Sequence, residues 1–311
     1  MNFQNSDLQL LFSRKTTMNK YIDIIKNSYS SYWNYIQKSV LMDLNWENYF
    51  YGLIIISLVV WGLEAIFPWR KNQSLFRKDF WLDTFYMFFN FFLLNLIVLI
   101  ALSNSAAEIF NDVLGLVGLS VSSFQLLDLN SLPFFIRIFI FFIVVDFVQW
   151  WTHRLLHRVE FLWNFHKVHH SVKEMGFAAH LRYHWMEPVV YNSLRYIPLA
   201  IIGGFSAKDV AFVHFFNITI GHLNHANINW DYGWLKYIFN NPKMHIWHHS
   251  KELPAERKFG VNFGLTLSIW DYIFKTNYIP HSGRDIEIGF KGDENFPKGF
   301  LEQEMYPLGK K

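Results

Sequence analysis

Apolar residues run almost unbroken over three stretches, 49–69, 80–102 and 133–151. Each is close to the roughly twenty residues a helix needs to cross a bilayer, so three transmembrane helices are predicted. Two further apolar stretches, 189–202 and 210–220, are short for a crossing, and Gly203 and Gly204 between them mark a turn. They predict a helical hairpin over 189–220, re-entrant or tightly paired. Ahead of the first span, 21–40 scatters Tyr, Trp and Ile among polar residues, the pattern of a helix lying in the interface. From Trp230 the chain is polar enough for a cap of short helices, and beyond Ile279 its Gly, Pro, Lys and Glu read as loop. The expected fold is all-α and integral to the membrane, with about four transmembrane helices, or three plus the re-entrant hairpin, under a cytosolic histidine-rich helical cap. Its divisions are an interfacial segment 1–48, transmembrane helices 49–151, a histidine-rich catalytic region 152–276 and a tail 277–311.

Composition supports the membrane class: 52% of the 311 residues are hydrophobic and 20% aromatic, against 17% charged. A formal net charge of +3 with scattered basic residues points away from nucleic acid and toward anionic lipid as the partner. Arg70, Lys71, Arg77 and Lys78 follow the first span, 103–132 holds no Lys or Arg, and basic residues return after His153. By the positive-inside rule the histidine region faces the cytoplasm. That orientation leaves Arg14, Lys15, Lys20, Lys26 and Lys38 on the other side, where most lie too far from the span to set topology. The first twenty residues read as carrying no secretory signal. With no cysteine, a metal must be held by nitrogen and oxygen.

Thirteen of the fourteen histidines fall between His153 and His249, where even scatter would place about four. Their spacings repeat. His153 and His157 stand four apart; His166, His169 and His170 form an HxxHH box, and so do His245, His248 and His249; His180 and His184 stand four apart, His222 and His225 three. On helices each set shares one face, close enough for rings to close on one metal or bridge two. So many imidazoles exceed the four ligands of a tetrahedral ion, and two ions sharing them is the economical count. Imidazole suits zinc, copper, iron and nickel alike. A neutral nitrogen shell at the bilayer surface suits activation of O2 beside a lipid without polar handles, so a di-iron oxygenase is expected.

The stretches "DFVQWWTHRLLHRVEFLWNFHKVHHS", "HLRYHWMEP", "NHANI" and "NPKMHIWHHS…NFGLTLSIWDYIFKT" resemble the fatty acid hydroxylase (sterol desaturase) superfamily of membrane di-iron enzymes over roughly 146–276. The boxes are closest to bacterial sterol-desaturase-like members and to alkylglycerol monooxygenases. The resemblance implies two iron ions and O2-dependent hydroxylation or desaturation of a lipid C–H bond in a sterol, fatty acyl chain or ether lipid. Electrons would come from an electron-transfer protein or an external reductant such as a reduced pterin. By motif, His153, His157, His166, His169, His170, His245, His248 and His249 match the family's metal ligands and His225 its intermediate histidine, with His222 and His184 as further candidates. Asp146, His180, Glu187 and Asn227 are expected to support the ligands or touch substrate; Asp146 lies two turns before His153, where it could accept a ring N–H or pair with Arg137 or Arg195. Three positions depart from the family pattern: His222 and His225 stand three apart instead of four, Trp185 replaces a common Pro, and Lys275 replaces a Gly. A histidine-rich metal transporter or metal-binding protein is the rival reading, and it would place its ligands along a path through the spans. A zinc hydrolase would want an HExxH, which the chain lacks.

Overall fold

The computed structural model describes residues 3–42 and 48–308, and they are mostly helical. Helix α1 (Phe3–Ile36) continues in π turns to Met42. Helix α2 (Tyr49–Ile66) begins where the Asn48 side chain accepts from the Phe50 amide and stops just before Pro68, whose ring disfavours helix in the residue ahead of it. Helix α3 runs from Phe80 to Gly115, and α4 spans Phe134–Arg158. Both are long and apolar enough to cross a membrane; α2 is apolar but shorter.

The stretch read as interfacial, 21–40, lies largely within α1, which runs lengthwise along α3. Lys20 pairs with Glu108 and Asp112 at 2.6 Å, Tyr21 donates to Asp112, and Tyr29 donates to the Ile97 carbonyl. Helix α3 outlasts its apolar stretch by more than three turns because 103–115 carries no Pro and continues the helical run. Two π turns interrupt it at Phe89–Leu93 and Asn95–Leu99. The buried Asn90 in the first of them donates to the carbonyls of Leu181 and Tyr183, locking the span to the cap.

Helices α5 (Glu160–His170), α6 (Met186–Ile201) and α7 (Ala207–His225) follow. The last two cover the apolar stretches of the expected hairpin but are not tightly paired: α6 packs on α4, and α7 on α2, α4 and the cap. A Ser206–Asp209 capping box starts α7, and the two-residue strand β2 (Ile202–Gly203) pairs in parallel with β1 (Leu127–Asp128), tying the tip to the loop before α4. Gly204, at φ +90, lies against the backbone of Leu129 and Asn130, where any side chain would collide. Short helices α8 (Pro242–His248), α9 (Ile269–Ile273) and α10 (Phe300–Glu304) complete the cap.

The tail is not loose. Ile288 is buried beside Val172, Ile246 and Trp247, and Phe296 beside Tyr86 and Val168. A buried ionic cluster fastens the cap to the spans: Arg77 and Arg182 both reach Asp83, at 2.8 and 3.0 Å, and Arg182 also reaches Asp79 and Ser171. Such a cluster holds only while every member is paired, since a lone buried charge costs several kcal/mol.

Candidate metal centre

Helix α4 carries its register unbroken from the span into His153 and His157, so both imidazoles emerge on the face turned toward the cap. Helix α5 folds back after Val159 and presents the first HxxHH box. Helix α8 presents the second; Asn241 caps it by accepting from the Met244 amide, and Pro242 takes the first-turn position that needs no N–H donor. The last turn of α7 adds His225.

These elements gather nine imidazoles into two groups: His153, His157, His166, His170 and His248 in one, His169, His225, His245 and His249 in the other. Within each group the candidate ligand atoms lie within 4.8 Å of one another. Each HxxHH box is shared between the groups. The first and last histidines of a box sit four apart on one face and go to one group, while the middle one, roughly 100° round the helix from the last, goes to the other. The two boxes do this in opposite senses, so the groups are adjacent and interlocked; the His170 and His249 rings, one from each, stack at 4.5 Å.

The ring nitrogens facing away from the centre fix the protonation. Nδ1 donates to a carbonyl in His153 (Phe263, 2.7 Å), His248 (Val261, 2.8 Å), His169 (Arg182, 3.0 Å) and His225 (Gly221, 2.8 Å). A carbonyl only accepts, so Nδ1 carries the hydrogen and Nε2 a lone pair. Yet the Nε2 atoms of His169 and His225 face each other at 3.3 Å. Facing lone pairs repel unless a proton or a cation lies between them. Burial works against the proton, lowering the His169 imidazole to about 4 and holding His166, His170, His245, His248 and His249 well below their usual range, with the neighbouring imidazoles adding to the effect in those five. Buried His157 Nε2 and His249 Nδ1 have no protein partner. Neutral, converging nitrogens of this kind fit divalent transition-metal ions.

The groups are supported differently. Glu187 hydrogen-bonds His166 Nδ1 at 2.9 Å. The carbonyls serving His153 and His248 belong to one loop, 260–264, whose shape is set by the buried Asp271. That carboxylate accepts from the amides of Phe263 and Gly264, from Thr276 Oγ1 and from Trp150 Nε1, three residues before His153. Burial pushes the Asp271 carboxyl up. Asn262, at φ 53, donates to the Met244 carbonyl beneath His245. In the second group the carbonyl that holds His169 belongs to Arg182 of the ionic cluster.

The other sequence candidates lie outside both groups. His222 Nε2 stands 3.1 Å from Ser57 Oγ, and its Nδ1 2.9 Å from that of His180. The His180 ring packs 5.1 Å from His225, in space left by Gly221, where a side chain would collide with it. His184 accepts from the Met186 amide at the start of α6 and packs against Phe165. Asp146 accepts from Trp270 Nε1 at 2.8 Å and touches neither Arg137 nor a histidine; Arg137 pairs with Asp209 instead. Asn227 accepts from the Arg70 amide and donates to its carbonyl, holding the loop after α2. Lys275 adopts φ 56, the left-handed region that glycine enters most easily.

Asp271 and the acceptor carbonyls escaped the reading of the sequence. Asp271 stands in the quoted WDYIFKT stretch, which was its available signal; a backbone carbonyl has none.

A cavity of about 680 Å³ opens directly onto this centre. His153, His166 and His169 form one end. From there it runs between α3, α4, α6 and α7, past Phe141, Val145, Leu199 and Ile218, to Tyr32 and Tyr35 of α1.

Residues 138–276 match the fatty acid hydroxylase family model. It is 34% identical over 181 residues to an ornithine lipid hydroxylase of Rhizobium tropici, covering 58% of this chain and 52% of that protein. It is also 34% identical over 137 residues to the alkylglycerol monooxygenase of Homo sapiens, 43% of this chain and 29% of the relative. A very-long-chain aldehyde decarbonylase of Oryza sativa subsp. indica is 30% identical over 145 residues, covering 42% and 22%. The match thus spans about half of the first relative and under a third of the other two. No solved structure matches the chain. The site thus joins histidine groups able to hold metal to a chain with two helices long and apolar enough to cross a membrane, and lipid hydroxylases stand among its relatives.

Proposed function

We propose that this chain is a multi-pass membrane oxygenase, its metal centre on the cytoplasmic side, that hydroxylates a C–H bond of a lipid using O2 and electrons from a separate protein or small reductant. The observation that carries the reading is the pair of interlocked histidine groups, with lone pairs facing one another at the end of an apolar cavity. His153, His157, His166, His170 and His248 would hold one iron and His169, His225, His245 and His249 the other. Bound there, the irons supply the O2-activating redox chemistry that no side chain can provide.

The chain's own residues do the rest. The carbonyls of Phe263, Val261, Arg182 and Gly221 keep the hydrogen on Nδ1 and aim Nε2 inward, and Glu187 holds the His166 ring. Phe141, Val145, Leu199 and Ile218 exclude water and hold the lipid against the histidine end, so that the carbon attacked is chosen by position. A metal transporter would string its ligands along a route through the spans, whereas these nine converge at one end of a chamber.

The test combines metal analysis of purified protein with lipid profiling of cells with and without the gene under ¹⁸O2. The expected result is about two irons per chain and a labelled hydroxyl in one lipid class. Active protein with less than about one metal per chain, or an oxidised lipid without label, ends the proposal.

A further inference from the structure

The cavity wall carries a charge that the ligand sets do not use. Arg195, on α6, is the single Lys or Arg on the described wall. It makes no salt bridge, Asp146 acting on it only at longer range: its Nη2 donates to the neutral Gln149 at 3.0 Å, its guanidinium lies over the Tyr191 ring at 5.6 Å, and its Nε, shut away from solvent, has no acceptor. Asp146, one turn before Gln149 on α4, is bound by the Trp270 indole instead. Among the described residues the only acid on the wall is Glu187, already engaged by His166. A guanidinium without a direct ion-pair partner in a largely apolar chamber is costly unless the chamber's occupant brings the opposite charge. Asn192, His214 and Asn217 add polar groups to the same wall, which would be out of place around a bare hydrocarbon.

We infer that Arg195 binds an anionic group, a carboxylate or a phosphate, on the lipid that enters this cavity. The inference rests on the oxygenase reading and narrows its substrate class to acidic lipids. Glu187, Tyr191, Arg195 and Leu199 follow one another at four-residue steps and all line the cavity, so the anion site lies about 12 Å along the helix from the carboxylate that supports the metal end. At that separation the attacked carbon lies partway along a long chain, neither beside the acidic group nor at the far end.

The test measures binding, independently of turnover, on the iron-loaded full chain in nanodiscs of neutral lipid. Three probes are used: palmitate, a lysophosphatidate and methyl palmitate. Wild type should hold one of the two acids at least about tenfold more tightly than the neutral ester, the yield of one charge-assisted pair; which acid wins separates carboxylate from phosphate. Arg195→Gln should erase that preference while leaving ester binding and iron content in place. Gln149→Glu, which gives Arg195 a resident counter-charge, should erase it too, and so keeps the test alive if the first variant folds poorly. Equal affinity of wild type for acids and ester, or an undiminished preference in either variant, overturns the inference. Loss of ¹⁸O incorporation with the preference intact would instead refute the oxygenase reading and leave the anion site standing.

Discussion

The two histidine groups draw on the same two sequence boxes yet are anchored by different parts of the chain. The five-membered group rests on α4, on Glu187 and on the loop that Asp271 organises. The four-membered group rests on α7 and on a carbonyl held in place by the ionic cluster of Arg77, Asp83 and Arg182. The same imidazole chemistry is therefore stabilised in one case by a loop within the cap and in the other by the seam between cap and spans. The lesson is that the groups can be weakened one at a time.

The largest effect is expected from removing one ligand of each. His157→Ala and His225→Ala should both abolish turnover, and each should lose about half of the iron, because each strips only its own group; elemental analysis of the purified variants reads this. Complete loss of metal from either variant would mean the groups fill as a unit, and the distinction would collapse.

Next, Asp83→Asn leaves Arg77 without its carboxylate in a buried seam, and should lower stability by roughly 3 kcal/mol. The melting temperature in detergent checks it, and a shift indistinguishable from zero would remove the seam's role. Asp271→Asn should spare folding more than Asp83→Asn does. It should lower iron affinity of the five-membered group about 10- to 100-fold, the usual consequence of losing the groups that orient metal ligands. Chelator competition should then show one weakened site and one unchanged; two weakened sites would count against separate support. The smallest change is expected from His184→Asn, whose side chain can still accept from the Met186 amide. Iron content should stay at the wild-type level, and a loss of half would make His184 a ligand after all.

Much of this was legible in the sequence, for identifiable reasons. Apolar runs marked α2, α3 and α4 because a span is a statement about composition. Box spacing marked helix faces, because the helical period is fixed. What spacing cannot express is which neighbour a face meets. His222 and His225 share the last turn of α7, yet only His225 joins a group, while His222 turns to Ser57 and His180. Asp146 lies in register with His153 but is drawn to Trp270, 124 residues away. The length of α3 was underestimated because hydropathy falls after Leu102 while helix propensity does not.

The chamber is walled in part by Tyr32 and Tyr35 of α1 and by Asn90 to Ile100 of α3, all outside the segment that matches the family. Every one of the nine histidines lies inside it. The histidines therefore lie on one stretch of the polypeptide, while the chamber wall is shared between that stretch and the N-terminal helices. Substitutions in the first hundred residues can reshape one side of the chamber while all nine histidines stay where they are.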